Sequence, residues 1–319
     1  MMNSGTGFSA GRVAVVGLGL MGGSMAMALR PYAAHVIGVD MDPETRAYAL
    51  TNGVVDEATD DLKAGVHEAD TVVLAAPVRV VLDILRNRIG AYLRSNTLLI
   101  DIGSTKVDIC EAMGRLPVGI HAMGGHPMTG KERSGIQASD GDLYQGAPFV
   151  LCETRRTTPA TRIRAMAFAE AIGAVPVEMD AQRHDRVVAT ISHLPYLLSA
   201  ALVATAAEEA GYDEAIWQLA AGGFRDMSRL MGSDIKMMSD ITSTNTQAIA
   251  VLLAEFRMHL ARLEMLLISR NEDHLVDELR PLRETRLMWE KHYLSHRQNG
   301  AKPATIDQPS DNKQKETDQ

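Results

Sequence analysis

Three short stretches bring chemistry-bearing residues to places where a ligand would meet them. The first is Gly17-Leu18-Gly19-Leu20-Met21-Gly22, a G-x-G-x-x-G run that follows directly on the apolar Val13-Ala14-Val15-Val16. In such a run the first glycine permits a tight turn, the second lets a pyrophosphate approach the backbone, and the third allows close packing of helix on strand. The helix that follows offers unpaired N–H groups to phosphate. The second stretch is Gly103-Ser104-Thr105-Lys106, and the third is the loop from Gly125 to Gly135, GHPMTGKERSG, which carries His126. Together they deliver a hydroxyl, an amine and an imidazole to one crevice. A neutral imidazole suits proton transfer near pH 7. Any one histidine among the ten is more often structural, but a glycine-rich loop at a strand end has little packing use for an imidazole.

These residues need a sheet to hold them. Residues 35–40, HVIGVD, read as a second strand ending on Asp40, placed ~20 residues past the glycine motif as a ligand of the ribose 2′-hydroxyl requires. A carboxylate there repels a 2′-phosphate, so the expected cofactor is NAD and not NADP. The competing reading is a glycine turn beside an ordinary surface aspartate, but it leaves the order strand, turn, helix, strand, acid without a reason. Further short strands are expected at 71–77, 97–103, 118–125, 147–153 and 174–179, alternating with helices. That alternation is the signature of a doubly wound parallel sheet. Ligands of such sheets lie beyond the carboxyl ends of the strands, so Ala76, Pro77 and Val78 should border the cofactor's ribose or nicotinamide.

Beyond Asp180 strand signals nearly vanish. Val187, Ile191, Leu194, Leu198 and Leu202 recur at helical spacing, as do Ile249, Leu252, Leu253, Phe256, Leu260, Leu263 and Leu267. The helix expected at 245–270 is apolar around much of its circumference, which favours a subunit interface, and hence a homodimer, over packing within one chain. The expected fold class is therefore α/β, with an N-terminal doubly wound dinucleotide-binding sheet followed by an all-α domain. Its divisions are a flexible start at 1–11, the nucleotide domain at 12–180, the helical domain at 181–297 and a disordered polar tail at 298–319.

Composition narrows the class further. The chain has 319 residues, 46% of them hydrophobic, long enough for about two domains. The sequence reads as having no apolar run of membrane-spanning length. MMNSGTGFSAG has neither the basic nor the apolar segment of an export signal, so a cytoplasmic location is expected. Cys110 and Cys152 match no zinc or disulfide pattern and are expected as reduced thiols. A net charge of −8 argues against nucleic acid as a partner. It leaves room for a small anionic substrate held by a few local arginines.

The motifs GLGLMGGS, IDIGSTK, GGHPMTGKERSG, ISHLPYLLSAAL and GGFRDMSRL, in that order over roughly residues 12–295, resemble the prephenate/arogenate dehydrogenases of tyrosine biosynthesis. The resemblance implies a Rossmann domain, a helical dimerisation domain, and oxidative decarboxylation of a cyclohexadienol by NAD. Hydride leaves the hydroxyl-bearing carbon, CO₂ departs across the ring, and the ring becomes aromatic. The protein then has mainly to orient the reactants and to accept the hydroxyl proton. The resemblance implies that His126 is that acceptor and that Ser104, also beside the cofactor, holds the hydroxyl or the imidazole. No metal is required. It places His193, Tyr196, Lys131 and Glu132 at the substrate pocket. It also implies that Arg229 binds a carboxylate, with Arg225 beside it.

The residues alone allow blander readings: a core histidine at 193, and for Arg225 and Arg229, four apart and so expected on one helix face, a solvated pair or a partner for Asp226. Pro195 should kink its helix and free the carbonyl of Ile191. Many prephenate-using members carry a second histidine where Tyr196 stands, which leaves the choice between prephenate and arogenate open. An alternative class, the β-hydroxyacid dehydrogenases and imine reductases, shares the glycine run but places a lysine and a following asparagine on one helix. Lys236 and Asn245 lack that spacing. A non-catalytic NAD sensor would have no need of base, hydroxyl and arginines together.

Overall fold

The computed structural model of the chain describes residues 8–291. Residues 1–7 of the expected flexible start and the whole expected tail lie outside the described residues.

The sheet is built from β1 (Gly11–Val16), β2 (Ala33–Val39), β3 (Glu57–Thr59), β4 (Thr71–Leu74), β5 (Leu98–Asp101), β6 (His121–Pro127), β7 (Pro148–Cys152) and β8 (Val175–Glu178), in the order β3-β2-β1-β4-β5-β6-β7-β8. Alternation along β1 explains the two-sided core. Val13 and Val15 point to one face, with Met25, Leu29, Ile100, Phe149 and Phe168. Ala14 and Val16 point to the other, with Val72, Leu74, Val81, Leu85 and Ile109. Successive side chains of a strand face opposite sides, so a strand buried on both reads as a continuous apolar run. The first face is covered by α1 (Leu20–Leu29) and α6 (Pro159–Ala171); α2 (Pro43–Thr51), also on this side, packs on the β2–β3 edge. The second is covered by α3 (Leu62–Val66), α4 (Val78–Asn87) and α5 (Val107–Met113).

Two features depart from a purely parallel expectation. The edge strand β3 is only three residues long and carries no apolar run, so no periodic signal marks it. β7 runs antiparallel to β6, with Gly125 opposite Leu151 and His126 opposite Val150. The link between them, residues 128–147, is no crossover helix but a loop with one 3-10 turn, which returns the chain beside the strand it left. β8 then pairs parallel to β7 after α6.

The helical domain holds α7 (Ala181–Val188), α8 (Leu194–Ala210), α9 (Ala215–Leu219), α10 (Gly222–Ser228), α11 (Ile235–Thr244), α12 (Thr246–Ile268) and α13 (Glu272–Trp289). Asp180 caps α7, its carboxylate accepting from the N–H groups of Gln182 and Arg183. Between α7 and α8 the chain makes a single π-helical turn, Ala189–His193, and Pro195 sits in the first turn of α8. The break expected from Pro195 is thus taken up as a widened turn. The run Ala181–Ala210 is by length and composition apolar enough to cross a membrane, with a mean hydropathy of 1.7 over its best window, which corrects the expectation that no such run exists. Here it packs on α12 and on the segment from α10 to residue 232. α12 and α13 leave Met258, Met265, Leu267, Ile268, Leu282 and Met288 exposed, more apolar surface than isolated side chains on a monomer would present.

Candidate active site

The glycine turn fits a dinucleotide phosphate. Gly17 has φ +94°, and a Cβ on it would lie 2.8 Å from the backbone of Ala75. A Cβ on Gly22 would lie 1.7 Å from the Gly17 carbonyl oxygen, whereas one on Gly19 would meet nothing within 4 Å. The first and third glycines are therefore forced by packing and turn, and the second borders open space. Gly19 caps α1 without a side-chain hydrogen bond, so the first N–H groups of the helix, from Leu20 to Gly22, have no partner within it. Asp40 follows β2, and its carboxylate accepts from Leu18 N at 2.7 Å and Asp42 N at 2.9 Å. The acid is thereby fixed to the glycine turn. Ala76, Pro77 and Val78 leave β4 toward α4, with Pro77 at the helix start.

His126 stands within β6 and not in the loop after it, because β7 pairs with it there. Its Nδ1 lies 2.8 Å from Nε2 of His184, and His184 Nδ1 lies 2.7 Å from Oδ1 of Asp185. His126 Nε2 has no protein partner among the described residues. Burial, then the proximity of His184, Lys106 and His193, holds the His126 imidazole well below the ordinary histidine range. Burial likewise lowers His184, against the opposing pull of Asp185, and pushes His193 down to about 4. All three imidazoles are neutral near pH 7. His193, at the end of the π turn, faces Asn245, whose amide Nδ2 lies 3.2 Å from His193 Nδ1 and donates to the Asp185 carbonyl at 2.7 Å.

Lys106 was expected to bring an amine to the crevice, but it is wholly buried. Its ammonium pairs with Asp101, also wholly buried, and donates to the Gly125 carbonyl at 2.7 Å. Asp101 accepts from Gly103 N at 2.8 Å and Gly125 N at 3.0 Å. The pair thus ties the Ser104 loop to the strand that carries His126. Ser104 itself makes no side-chain hydrogen bond among the described residues, and His126 Nδ1 is engaged by His184.

The loop after β6 folds back over α1. Tyr144 donates to the Met21 carbonyl at 2.6 Å, and Asp140 N donates to Ser24 Oγ at 2.9 Å. Within the loop Lys131 pairs with Asp140 at 2.9 Å, beside an open cleft of about 660 Å³. Glu132 meets Arg229 of the helical domain at 2.9 Å, both side chains exposed. Arg225 and Arg229 do not share one regular helix face, because α10 ends at Ser228 and Arg229 begins a 3-10 turn. Arg225 is exposed and pairs with Asp226 at 3.2 Å, the blander of its two readings. Tyr196 is buried against Met238 and Ile241. The site residues missed from sequence are His184, Asp185 and Asp101. Their available signal was an adjacent His-Asp pair nine residues before His193, and an acid ending a buried strand.

The sequence model for the nucleotide-binding domain of prephenate dehydrogenases matches residues 25–178, and that for their dimerisation domain matches residues 180–281. A cyclohexadienyl dehydrogenase of Zymomonas mobilis is 32% identical over 285 residues, 86% of this chain and 94% of that protein. The crystal structure of prephenate dehydrogenase from Aquifex aeolicus in complex with hydroxyphenyl propionate and NAD+ superposes with a TM-score of 0.81 at 29% identity, covering 88% of this chain and 99% of that one. The structure of Synechocystis arogenate dehydrogenase gives 0.76 at 31% identity, covering 87% and 99%.

Proposed function

The chain belongs to the prephenate dehydrogenase family, and on that premise we propose that it catalyses the NAD-dependent oxidative decarboxylation of prephenate, or of its amino counterpart arogenate, in tyrosine biosynthesis. The carrying observation is His126, a neutral imidazole whose Nε2 is left without a protein partner among the described residues. It stands at the carboxyl end of the parallel strand β6, where such sheets bind their ligands. NAD, when bound, accepts the hydride. The glycine turn and the first N–H groups of α1 hold its pyrophosphate, and Asp40 holds its adenosine ribose while repelling a 2′-phosphate.

His126 takes the hydroxyl proton as hydride leaves the same carbon. The ring oxygen recovers a proton when the electron pair of the departing carboxylate aromatises the ring, so no proton is released overall. Ser104 orients the hydroxyl. Arg229 binds a substrate carboxylate, with Glu132 as its partner while the pocket is empty and Lys131 and Arg225 supplying further positive charge nearby. His193, accepting from Asn245 at Nδ1, is left with Nε2–H to donate toward the ring substituents, and Tyr196 packs the wall behind it. The domain beginning near residue 180 matches a dimerisation domain. We assign homodimer formation to the exposed apolar faces of α12 and α13.

The β-hydroxyacid alternative is not favoured. Lys236 is exposed on α11, and Asn245 is committed to Asp185 and His193. NADH formation with prephenate and with arogenate, each with NAD and with NADP, tests the proposal directly. Turnover of at least one substrate with NAD is expected, and His126→Asn should lower kcat by about 10²- to 10⁴-fold. Absence of turnover with both substrates would refute the assignment.

A further inference from the structure

We propose that His184 and Asp185 are positioning residues that fix which nitrogen of His126 carries its proton, so that Nε2 alone is the base. This rests on the role of His126 assigned above. The argument begins at the Asp185 carboxylate, which accepts from Lys106 N at 2.7 Å, from Val107 N at 2.9 Å and from His184 Nδ1 at 2.7 Å. The two backbone donors belong to the nucleotide domain, whereas Asp185 belongs to the helical domain. The contact therefore also sets α7 against the start of α5.

A carboxylate has only acceptors to offer, so the proton of that contact lies on His184 Nδ1. A neutral His184 is then bare at Nε2. That bare nitrogen stands 2.8 Å from His126 Nδ1, a separation at which two lone pairs would repel. His126 must therefore carry its proton on Nδ1 and donate it to His184, leaving Nε2 as the acceptor. When Nε2 takes the hydroxyl proton, the O–H bond breaks and an N–H bond forms. The resulting positive charge is shared with Nδ1–H, whose partner is the His184 lone pair, backed in turn by Asp185. The proton goes back to the ring oxygen, and no proton crosses to His184.

The charged and titratable groups around this chain do not upset the assignment. Lys106 and Asp101 face it from β5 and the loop that follows, but they neutralise one another. Cys110 and Cys152 lie beyond that pair, both buried and free. His193 faces it from the π turn and is neutral. Protonating His184 would turn its Nε2 into a donor and remove the acceptor. Burial opposes this.

Ring ¹⁵N NMR of histidine-labelled full-length protein, with His126 assigned by its loss in His126→Asn, reads the tautomer without any turnover. The expected result is a pyrrole-type Nδ1 and a pyridine-type Nε2 on His126. A protonated Nε2 in the wild type overturns the proposal, and leaves the assigned reaction to stand or fall on its own assay. In kinetics, His184→Leu should lower kcat by about 10²- to 10⁴-fold, the scale of a mis-set catalytic tautomer, with KM moving only a few-fold. The acid limb of the kcat profile should move to lower pH, because the imidazolium has lost its acceptor. His184→Gln, whose amide oxygen can stand where Nε2 accepted, should recover part of the loss. A His184→Leu enzyme with wild-type kcat and an unmoved acid limb overturns the proposal. Should that variant not fold, the ring ¹⁵N spectrum of the wild type decides alone, a pyrrole-type Nε2 on His126 overturning the proposal.

Discussion

Replacing Lys106 with methionine keeps the length and the apolar stem of the side chain and removes only its cation. Lys106 is wholly buried, as is Asp101 opposite it. The substitution leaves the Asp101 carboxylate with its two backbone donors, Gly103 N at 2.8 Å and Gly125 N at 3.0 Å, but with no countercharge. It also removes the donor that reaches the Gly125 carbonyl at 2.7 Å. Removing one partner of a buried pair costs about 3–5 kcal/mol, and an orphaned buried carbonyl costs about 1–3 kcal/mol. The two donors that remain on Asp101 offset part of the first amount, so about 4 kcal/mol is expected. At ~1.5 °C per kcal/mol for a chain of 319 residues, Tm should fall by about 6 °C. Thermal unfolding followed by circular dichroism or fluorimetry reads it. Adding Asp101→Asn to Lys106→Met removes the stranded charge while keeping one amide oxygen for a backbone donor, and should restore roughly half of the loss. A Lys106→Met protein within about 2 °C of wild type, or a double variant no more stable than the single one, would refute the electrostatic account of this pair.

Two further expectations concern the cofactor and acid. Asp40→Asn keeps an acceptor for one of the backbone N–H groups of Leu18 and Asp42 and discards the charge, so the ratio of kcat/KM for NADP to that for NAD should rise by about tenfold or more, the equivalent of ~1.4 kcal/mol; an unchanged ratio would remove Asp40 from cofactor choice. His193 has a folded pKa of about 4 against about 6.5 in an unfolded chain. Between these values the unfolded state binds a proton that the folded state refuses, so stability is whole above pH 6.5 and is lost as pH falls toward 4, by about 2–3 kcal/mol at pH 4.5. Urea midpoints at pH 7 and 4.5 should converge in His193→Gln by that amount, and equal pH dependence in both proteins would contradict it.

Much of the architecture was legible because it rests on local rules. The run Val13–Val16 had to be a strand buried on both sides, and the glycine spacing had to follow it as a turn, since backbone geometry at Gly17 and steric closeness at Gly22 admit little else. The helix expected at 245–270 is Thr246–Ile268. What escaped was non-local. β3 has no periodicity to read, and the antiparallel return of β7 depends on where a 20-residue loop finds its partner.

The same division runs through the site. The residue types and spacing of the glycine turn, Asp40 and the His126 segment, with the family motifs around them, were enough to name a nicotinamide-linked reaction and to propose its base, because these are requirements of chemistry on sequence-adjacent residues. The sequence also suggested a free amine at Lys106 and one shared helix face for Arg225 and Arg229. Only the packed structure decided that the amine is spent inside the core on Asp101 and that Arg229 lies in a separate turn, drawn to Glu132 across 97 residues of chain. It alone set Asp185 and His184 behind His126, 58 residues away in sequence. A hydrogen bond between side chains so far apart leaves no periodic trace in either segment. It exists because β6 and α7 of the second domain bring His126 and His184 together in the folded chain, and that meeting is a property of the whole fold.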